Sequence, residues 1–281
     1  VTTTTPALPG DLRKGAASSN LRVVWESRGI LSLLVRRDLV VKYQSSVLGY
    51  FWSLIEPLTI AVTYWFIFGV LYHEHLAGDV PYVLYLASGL FAWIWIAGVL
   101  GEATTALTLQ SRLITTIRTP REIFGIGRVA AKGFEYIASL PILFLIAVLL
   151  RGHFGWQLIY LPAAILVETI FLIGLSLLLS ALNVMLRDTE KVARLAQRLL
   201  LYTLPVIYPL TRVMDSGIPH WLKDLYLINP LVGIIELHHA VWSHHPPSLL
   251  AVLAAIVGSL LMLFGGYWIF RKLEPSVLKE L

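Results

Sequence analysis

The chain has 281 residues, 57% of them hydrophobic and 14% charged, with a mean hydropathy of +0.74. A soluble domain carries about a quarter charged residues, so these totals exclude one and point to a chain that crosses a membrane several times. The net charge of +5 does not indicate nucleic acid, because the cations sit between apolar runs, and the absence of cysteine excludes disulfides and thiolate metal sites.

In chain order, residues 1–27 are polar, small and unperiodic, with no cleavable signal pattern, and read as a disordered cytosolic tail. Residues 28–46 mix Leu33, Leu34, Val40 and Val41 with Arg36, Arg37, Asp38 and Lys42. That mixture predicts an amphipathic helix at the inner headgroups, with a plain positive-inside anchor as the simpler account. The first span, 48–72, holds one charge, Glu56, in about 25 residues, roughly 37 Å of helix. It is kinkable at Pro57 and rich in aromatics. Trp52 opens it, and Tyr64, Phe68 and Tyr72 recur at i, i+4 and i+8, a pattern that predicts a pathway wall.

In the second span, 81–106, Tyr82 and Tyr85 suit an interfacial belt at the outer boundary together with Tyr72, whereas Trp93 and Trp95 lie too deep for one. A polar stretch follows, with a helix stop before Pro120. The third span, 123–150, starts with Arg128, Lys132 and Glu135 at helical spacing and so begins outside the hydrocarbon. The fourth, 156–182, carries Glu168, the carboxylate nearest a span centre. With no Lys or Arg at that depth it is protonated or bonded to hydroxyls and water. Its simplest role is packing, and a functional role is the alternative. After a charged connection the fifth span, 199–210, is short and contains Pro205 and Pro209. The stretch 211–247 is broken by prolines into apolar pieces, which predicts re-entrant half-helices in the outer leaflet. The sixth span is 248–270, and 274–281 read as a cytosolic tail. The expected fold is therefore all-α and integral to the membrane: an interface helix, six transmembrane helices, and outer half-helices between spans five and six.

Nineteen of the 22 Lys and Arg fall on one side of this arrangement and three on the other, which predicts that both termini are cytosolic. His238, His239, His244 and His245 form no ligand set, because adjacent pairs do not share a helix face and no Asp completes them. They read as an outer surface, and no metal is expected. No G-x-x-x-x-G-K-[ST] loop is present, so this chain is not expected to hydrolyse ATP by that device. Deep aromatic faces suit sugar rings, although helix packing explains single residues equally well.

The run RDLVVKYQSSVLGYFWSLIEPL (37–58), with LITTIRTPREI (113–123), NVMLRD (183–188), LPVIYPL (204–210) and IPHWLKDLYLINPL (218–231), resembles the ABC-2 type permeases that export polysaccharides. These are the O-antigen and teichoic-acid exporters (Wzm/TarG-like). The resemblance spans residues 30–273. Glu56, often uncharged in relatives, and His238-His239, where an arginine commonly follows, depart from it. It implies a homodimer paired with two cytosolic ABC ATPase subunits, which hold the ATP and Mg, while this chain binds no cofactor of its own. The substrate it implies is a lipid-linked glycan crossing the bacterial plasma membrane. Leu113, Ile114, Arg118, Pro120, Arg121 and Glu122 would form the ATPase-coupling segment. Arg36, Arg37, Asp38, Lys42 and Tyr43 would meet the lipid diphosphate. Trp52, Glu56, Pro57, Tyr64, Phe68, Trp93, Trp95, Tyr202 and Tyr208 would line the channel. The basic tail is most similar to actinobacterial exporters of lipid-linked galactan. Weighed beside this are an exporter of small hydrophobic compounds, a secondary transporter, which would need paired intramembrane charges and internal repeats, and a membrane-embedded glycan-synthesis enzyme, which would need clustered Asp, Arg or His.

Overall fold

The computed structural model describes residues 27–43, 49–71, 80–116, 119–152 and 154–280. Arg118, Tyr72 and the side chains of Tyr43, Glu56 and Pro57, singled out above, lie outside what is described, as does the chain through residue 26. The described residues contain helices and no strand.

Helix α1 is Arg28–Tyr43. Helix α2, Trp52–Tyr64, continues into the π-helical turns of Trp65–Leu71. Helix α3 is Tyr82–Ala103 and the short α4 is Ser111–Thr116. Helix α5, Glu122–Leu149, follows Pro120, as the stop there predicts, and α6 is Tyr160–Met185. Helix α7, Thr189–Thr203, leads into a break, then α8 Leu210–Met214, α9 His220–Ile228, α10 Pro230–Ala240 and α11 Leu249–Glu280. Among the described residues, four helical stretches are long and apolar enough to cross a bilayer: Tyr82–Ala103, Glu122–Leu149, Trp156–Met185 and Leu249–Val277. Leu58–Leu71 is a shorter apolar helix.

The fifth expected span takes another form. Residues 199–203 are the last turns of α7, whose 15 residues cover only about 22 Å, less than a bilayer core. Pro205 and Pro209 lack the N–H that would continue it, and residues 204–209 run non-helical and largely buried. At the far end, α11 continues through Pro275 to Glu280 instead of stopping near 273. Val277 accounts for this: it is buried in a cluster with Leu34, Leu107, Ile114, Ile123, Phe124 and Phe270.

Two local signals set the helix ends. The Asn229 side chain accepts from the Leu231 N–H at 3.0 Å while Pro230 occupies the first helical position, so the Asn-Pro pair starts α10. Helix α5 stops where Arg151 turns left-handed (φ 54°) and the Gly152 N–H closes on the Ala147 carbonyl at 2.7 Å.

Helix α3 is the hub, with Leu84, Leu86, Leu90, Ile96 and Val99 fully or nearly fully buried. Around it stand α2, α5, α6 and α10, and α11 packs along α6 in the most extensive helix pairing of the fold. Small residues make that pairing possible: a side chain on Gly174 would strike the Met262 backbone carbonyl, and one on Gly266 the carbonyl of Gly174.

Candidate functional site

At the end of the bundle that carries α1, charges from three elements interlock. Arg128, Lys132 and Glu135 recur along one face of α5, and Asp38 and Lys42 along the facing side of α1. Asp38 meets Arg128 at 3.0 Å and Arg37 at 2.9 Å, and Lys42 meets Glu135 at 2.8 Å. Lys132 reaches Glu102 at the end of α3 at 2.7 Å. Arg37 also donates to Gln110 at 3.1 Å. The basic helix therefore spends Asp38 and Lys42 on its own chain, and Leu34 and Leu39 are buried beneath it. Arg36 stands apart, exposed on the rim of an apolar groove of about 860 Å³ lined by Leu31, Val35, Leu39 and Phe134. Of the five residues expected at a lipid diphosphate, Arg36 is open, Arg37, Asp38 and Lys42 lie in the network, and the Tyr43 side chain lies outside what is described.

The expected coupling segment is likewise divided. Ile114 is buried and Leu113 half-buried against Leu34, Phe124 and Val277, so they anchor α4. Arg121 donates to Glu274 of α11, and the buried Glu122 faces Arg271 at 3.7 Å. Pro120 is half-buried just before α5. Just before this segment, Thr108, Leu109 and Arg112 are exposed to solvent, Leu109 at 71%. Sequence reasoning passed over Leu109, although a leucine between polar neighbours in a charged segment is the available signal.

The aromatic residues separate into two groups. Trp52 is 49% and Tyr202 62% exposed, and the Tyr64 side chain of α2 faces that of Tyr202 in α7. Tyr64 stacks with Phe68 at 6.0 Å, and Tyr208 lies half-buried nearby. Val62 of α2, Trp65 and Phe66 in the turns that follow it, and Val192, Leu195 and Leu199 of α7 are exposed as well. Trp93 and Trp95 are elsewhere. Each is 4% exposed inside the chain's own core; the Trp95 N–H donates to the Val129 carbonyl at 3.2 Å and its ring stacks on Tyr136 at 5.3 Å. Gly133, where a side chain would meet the Trp95 ring, lets the indole in. Their depth read as channel wall; the structure makes them helix packing, because apolar depth alone does not tell an inner face from an open one.

The break after α7 is held by tyrosines. Tyr82 donates to the Ile207 carbonyl at 3.1 Å. The buried Tyr85 hydroxyl sits 3.2 Å from the Pro205 carbonyl and 3.0 Å from that of Tyr208. Tyr208 in turn donates to the carbonyls of Tyr202 and Thr203 at 3.1 and 3.0 Å. Non-helical backbone at membrane depth needs such partners, since no water is there to supply them. Tyr82 and Tyr85, read as an interfacial belt, therefore act as caps. Tyr85→Phe is expected to cost about 1–2 kcal/mol and lower the melting temperature by roughly 2–4 °C in a detergent thermal melt. An unchanged melt would remove the capping role.

His238 and His239 are 2% and 5% exposed, not at a surface. The His239 ring stacks on Tyr85 at 3.7 Å, fits against Gly89, and donates from Nε2 to the Pro205 carbonyl at 3.0 Å. Its Nδ1 lies 3.1 Å from the Ser88 hydroxyl. His238 Nε2 lies 3.2 Å from Oε2 of Glu168, which is fully buried. The sequence offered Glu168 no partner at its depth because the partner is 70 positions away on α10. His244 and His245 lie past the end of α10 and are exposed. Among the described residues no group of three His, Cys, Asp or Glu could hold a metal ion.

Four bilayer-length helices among the described residues, a charged end, a proline-broken helix and a short apolar helix buried between them define a polytopic membrane protein. The chain matches the ABC-2 type transporter family over residues 30–241 and belongs to it. It is 25% identical over 254 residues to the O-antigen export system permease protein RfbA of Myxococcus xanthus, covering 90% of this chain and 95% of that one. Two proteins of the same name from Klebsiella pneumoniae are 29% and 28% identical over 208 residues, covering 73% of this chain and 77% of each.

Proposed function

We propose that this chain is the membrane-spanning permease subunit of an ATP-driven exporter that moves a lipid-linked polysaccharide out across the bacterial plasma membrane. The observation that carries it is the match to an O-antigen export permease along nearly the full length of both chains. In this reading two copies pair through the open faces of α2 and α7, and two separate ABC ATPase subunits bind ATP and Mg. Spans one and five complete the six when α2 and the broken α7–α8 are counted. By sequence, nineteen of the 22 Lys and Arg fall in segments on one side of the span pattern, which supports the α1 end, with both termini, in the cytosol. The exposed Leu109 and, in the first turn of α4, Arg112 are the surface on which an ATPase would push. Arg36 at its apolar groove suits the lipid carrier. Trp52, Tyr64, Phe68, Tyr202 and Tyr208 offer flat rings with hydroxyls, which can carry sugars without fixing a register. A glycan of the O-antigen, teichoic-acid or galactan type fits equally. Transport of a small hydrophobic compound is the second reading, favoured only by the apolar remainder of the α2–α7 face.

Reconstitution with the partner ATPase tests this. Lipid-linked glycan, and not small hydrophobic compounds, is expected to stimulate ATP hydrolysis and to appear on the far side of the vesicle. Transport by the purified chain alone on an ion gradient would overturn the proposal. Trp52→Ala is expected to reduce glycan-stimulated hydrolysis several-fold with the complex intact; unaltered export would make Trp52 a lipid-facing residue.

A further inference from the structure

The proton inventory at Glu168 and His238 leads beyond the transport reading and does not depend on the substrate. His238 Nδ1 lies 2.9 Å from the Ile234 carbonyl one turn back in α10. A carbonyl oxygen only accepts, so Nδ1 carries the ring hydrogen of this contact. Nε2 therefore presents either a bare lone pair or the second N–H of an imidazolium. It stands 3.2 Å from Glu168 Oε2, with both side chains out of contact with solvent. A lone pair facing a carboxylate oxygen at that distance would repel it, so one proton belongs to the pair.

The surroundings decide where that proton sits. Tyr136 of α5 turns the edge of its ring to His238, with centroids 5.7 Å apart and planes at 84°. The Tyr136 hydroxyl, both Glu168 oxygens and His238 Nε2 are all buried without a well-formed hydrogen bond in this arrangement. The titratable groups facing the pair are Tyr136 and, next along α10, His239, itself bonded to Pro205. Helix α3 brings Ser88 to His239, and α11 meets α10 at Gly233 through Ala251 and Ala255. Among the described residues no Lys or Arg reaches Glu168 within ion-pair distance. A separated carboxylate and imidazolium would leave buried charge with no Lys, Arg or well-formed hydrogen bond to spread it, whereas the neutral form leaves only uncharged polar atoms there.

We propose that Glu168 and His238 form a buried proton-binding site, in which Glu168 is a carboxylic acid donating to His238 Nε2. This hydrogen bond fastens α10 to α6. One turn of α10 then makes two attachments: His238 to α6, and His239 to the Pro205 carbonyl in the break after α7. Because the fastening is neutral, α10 can leave α6 without exposing an uncompensated charge.

Infrared difference spectroscopy of the full-length protein in lipid tests the site. At neutral pH, where an exposed glutamate is ionised, the wild-type protein is expected to show the carbonyl stretch of a protonated, hydrogen-bonded carboxylic acid. The band should shift with 13C-glutamate labelling and vanish in Glu168→Gln. It should move to higher frequency in His238→Phe, where the acid loses its acceptor. Since the Gln amide also donates N–H to Nε2, Glu168→Gln is expected to keep its melting temperature and to keep export within about twofold. An absent acid band in the labelled wild-type protein would overturn the proposal whether or not either variant folds, and so would a band that Glu168→Gln leaves in place.

Discussion

Gly266→Ala is expected to prevent stable folding, while Gly265→Ala, one position away in the same helix, leaves the protein intact or slightly more stable. A methyl group on Gly266 would occupy the space of the Gly174 carbonyl in α6, and one on Gly174 that of the Met262 carbonyl in α11. Neither obstacle is a side chain that can swing aside, so the two helices must part along their whole contact. Overpacking of this kind costs about 1–3 kcal/mol where side chains can adjust, and more where backbone must move. Against a total stability of about 5–15 kcal/mol that is a large fraction. Gly265 meets nothing within 4 Å, and there the gain of helix propensity, up to about 1 kcal/mol, is unopposed. Thermal melts of the purified variants check both. Equal behaviour of the two would show that α6 and α11 do not cross as described.

Arg121→Glu is the second large effect expected, and its cause lies within the chain. Arg121 pairs with Glu274, both largely buried, and Glu274 also pairs with Arg271 at 2.8 Å, next to the buried Glu122. Reversing Arg121 would set three carboxylates together with one guanidinium. Loss of a charged hydrogen bond alone costs about 1.5–3 kcal/mol, before repulsion is counted. The variant is expected to melt well below the wild type and to be inactive. Arg121→Glu combined with Glu274→Arg should recover the melting temperature. If ATPase stimulation returns with it, Arg121 serves the fold of the α1 end. If the swapped protein melts normally but fails to stimulate its ATPase, Arg121 also touches the partner, as the family resemblance implies.

Much of this was legible along the chain. Hydropathy placed the long apolar helices, and Pro120 marked the start of α5 because it acts on its own backbone within one turn, whereas Pro205 and Pro209, expected inside a fifth span, interrupt it. The recurrence of Arg128, Lys132 and Glu135 located the charged foot of α5 before its partners were known. The motif series identified the family. All of these are local signals, and a local signal survives whatever the helix packs against.

What only the tertiary structure decided is which face of each helix is inside. In a soluble helix the polar stripe marks the outside, but in α3 and α6 lipid and protein interior are equally apolar, so composition is silent. That is why Trp93 and Trp95 resembled channel wall and proved to be packing, and why Tyr85 looked like a membrane-interface residue and proved to cap Pro205 and Tyr208. Glu168 lacked a partner until α10 folded back to bring His238 beside it, and Arg121 met Glu274 only because α11 runs on past the bundle. The chain by itself determined a membrane-spanning helical protein of the ABC-2 type transporter family. Which of its few polar groups meet was decided by the folding back of segments 70 or 150 residues apart, since no periodicity within one helix encodes its neighbour.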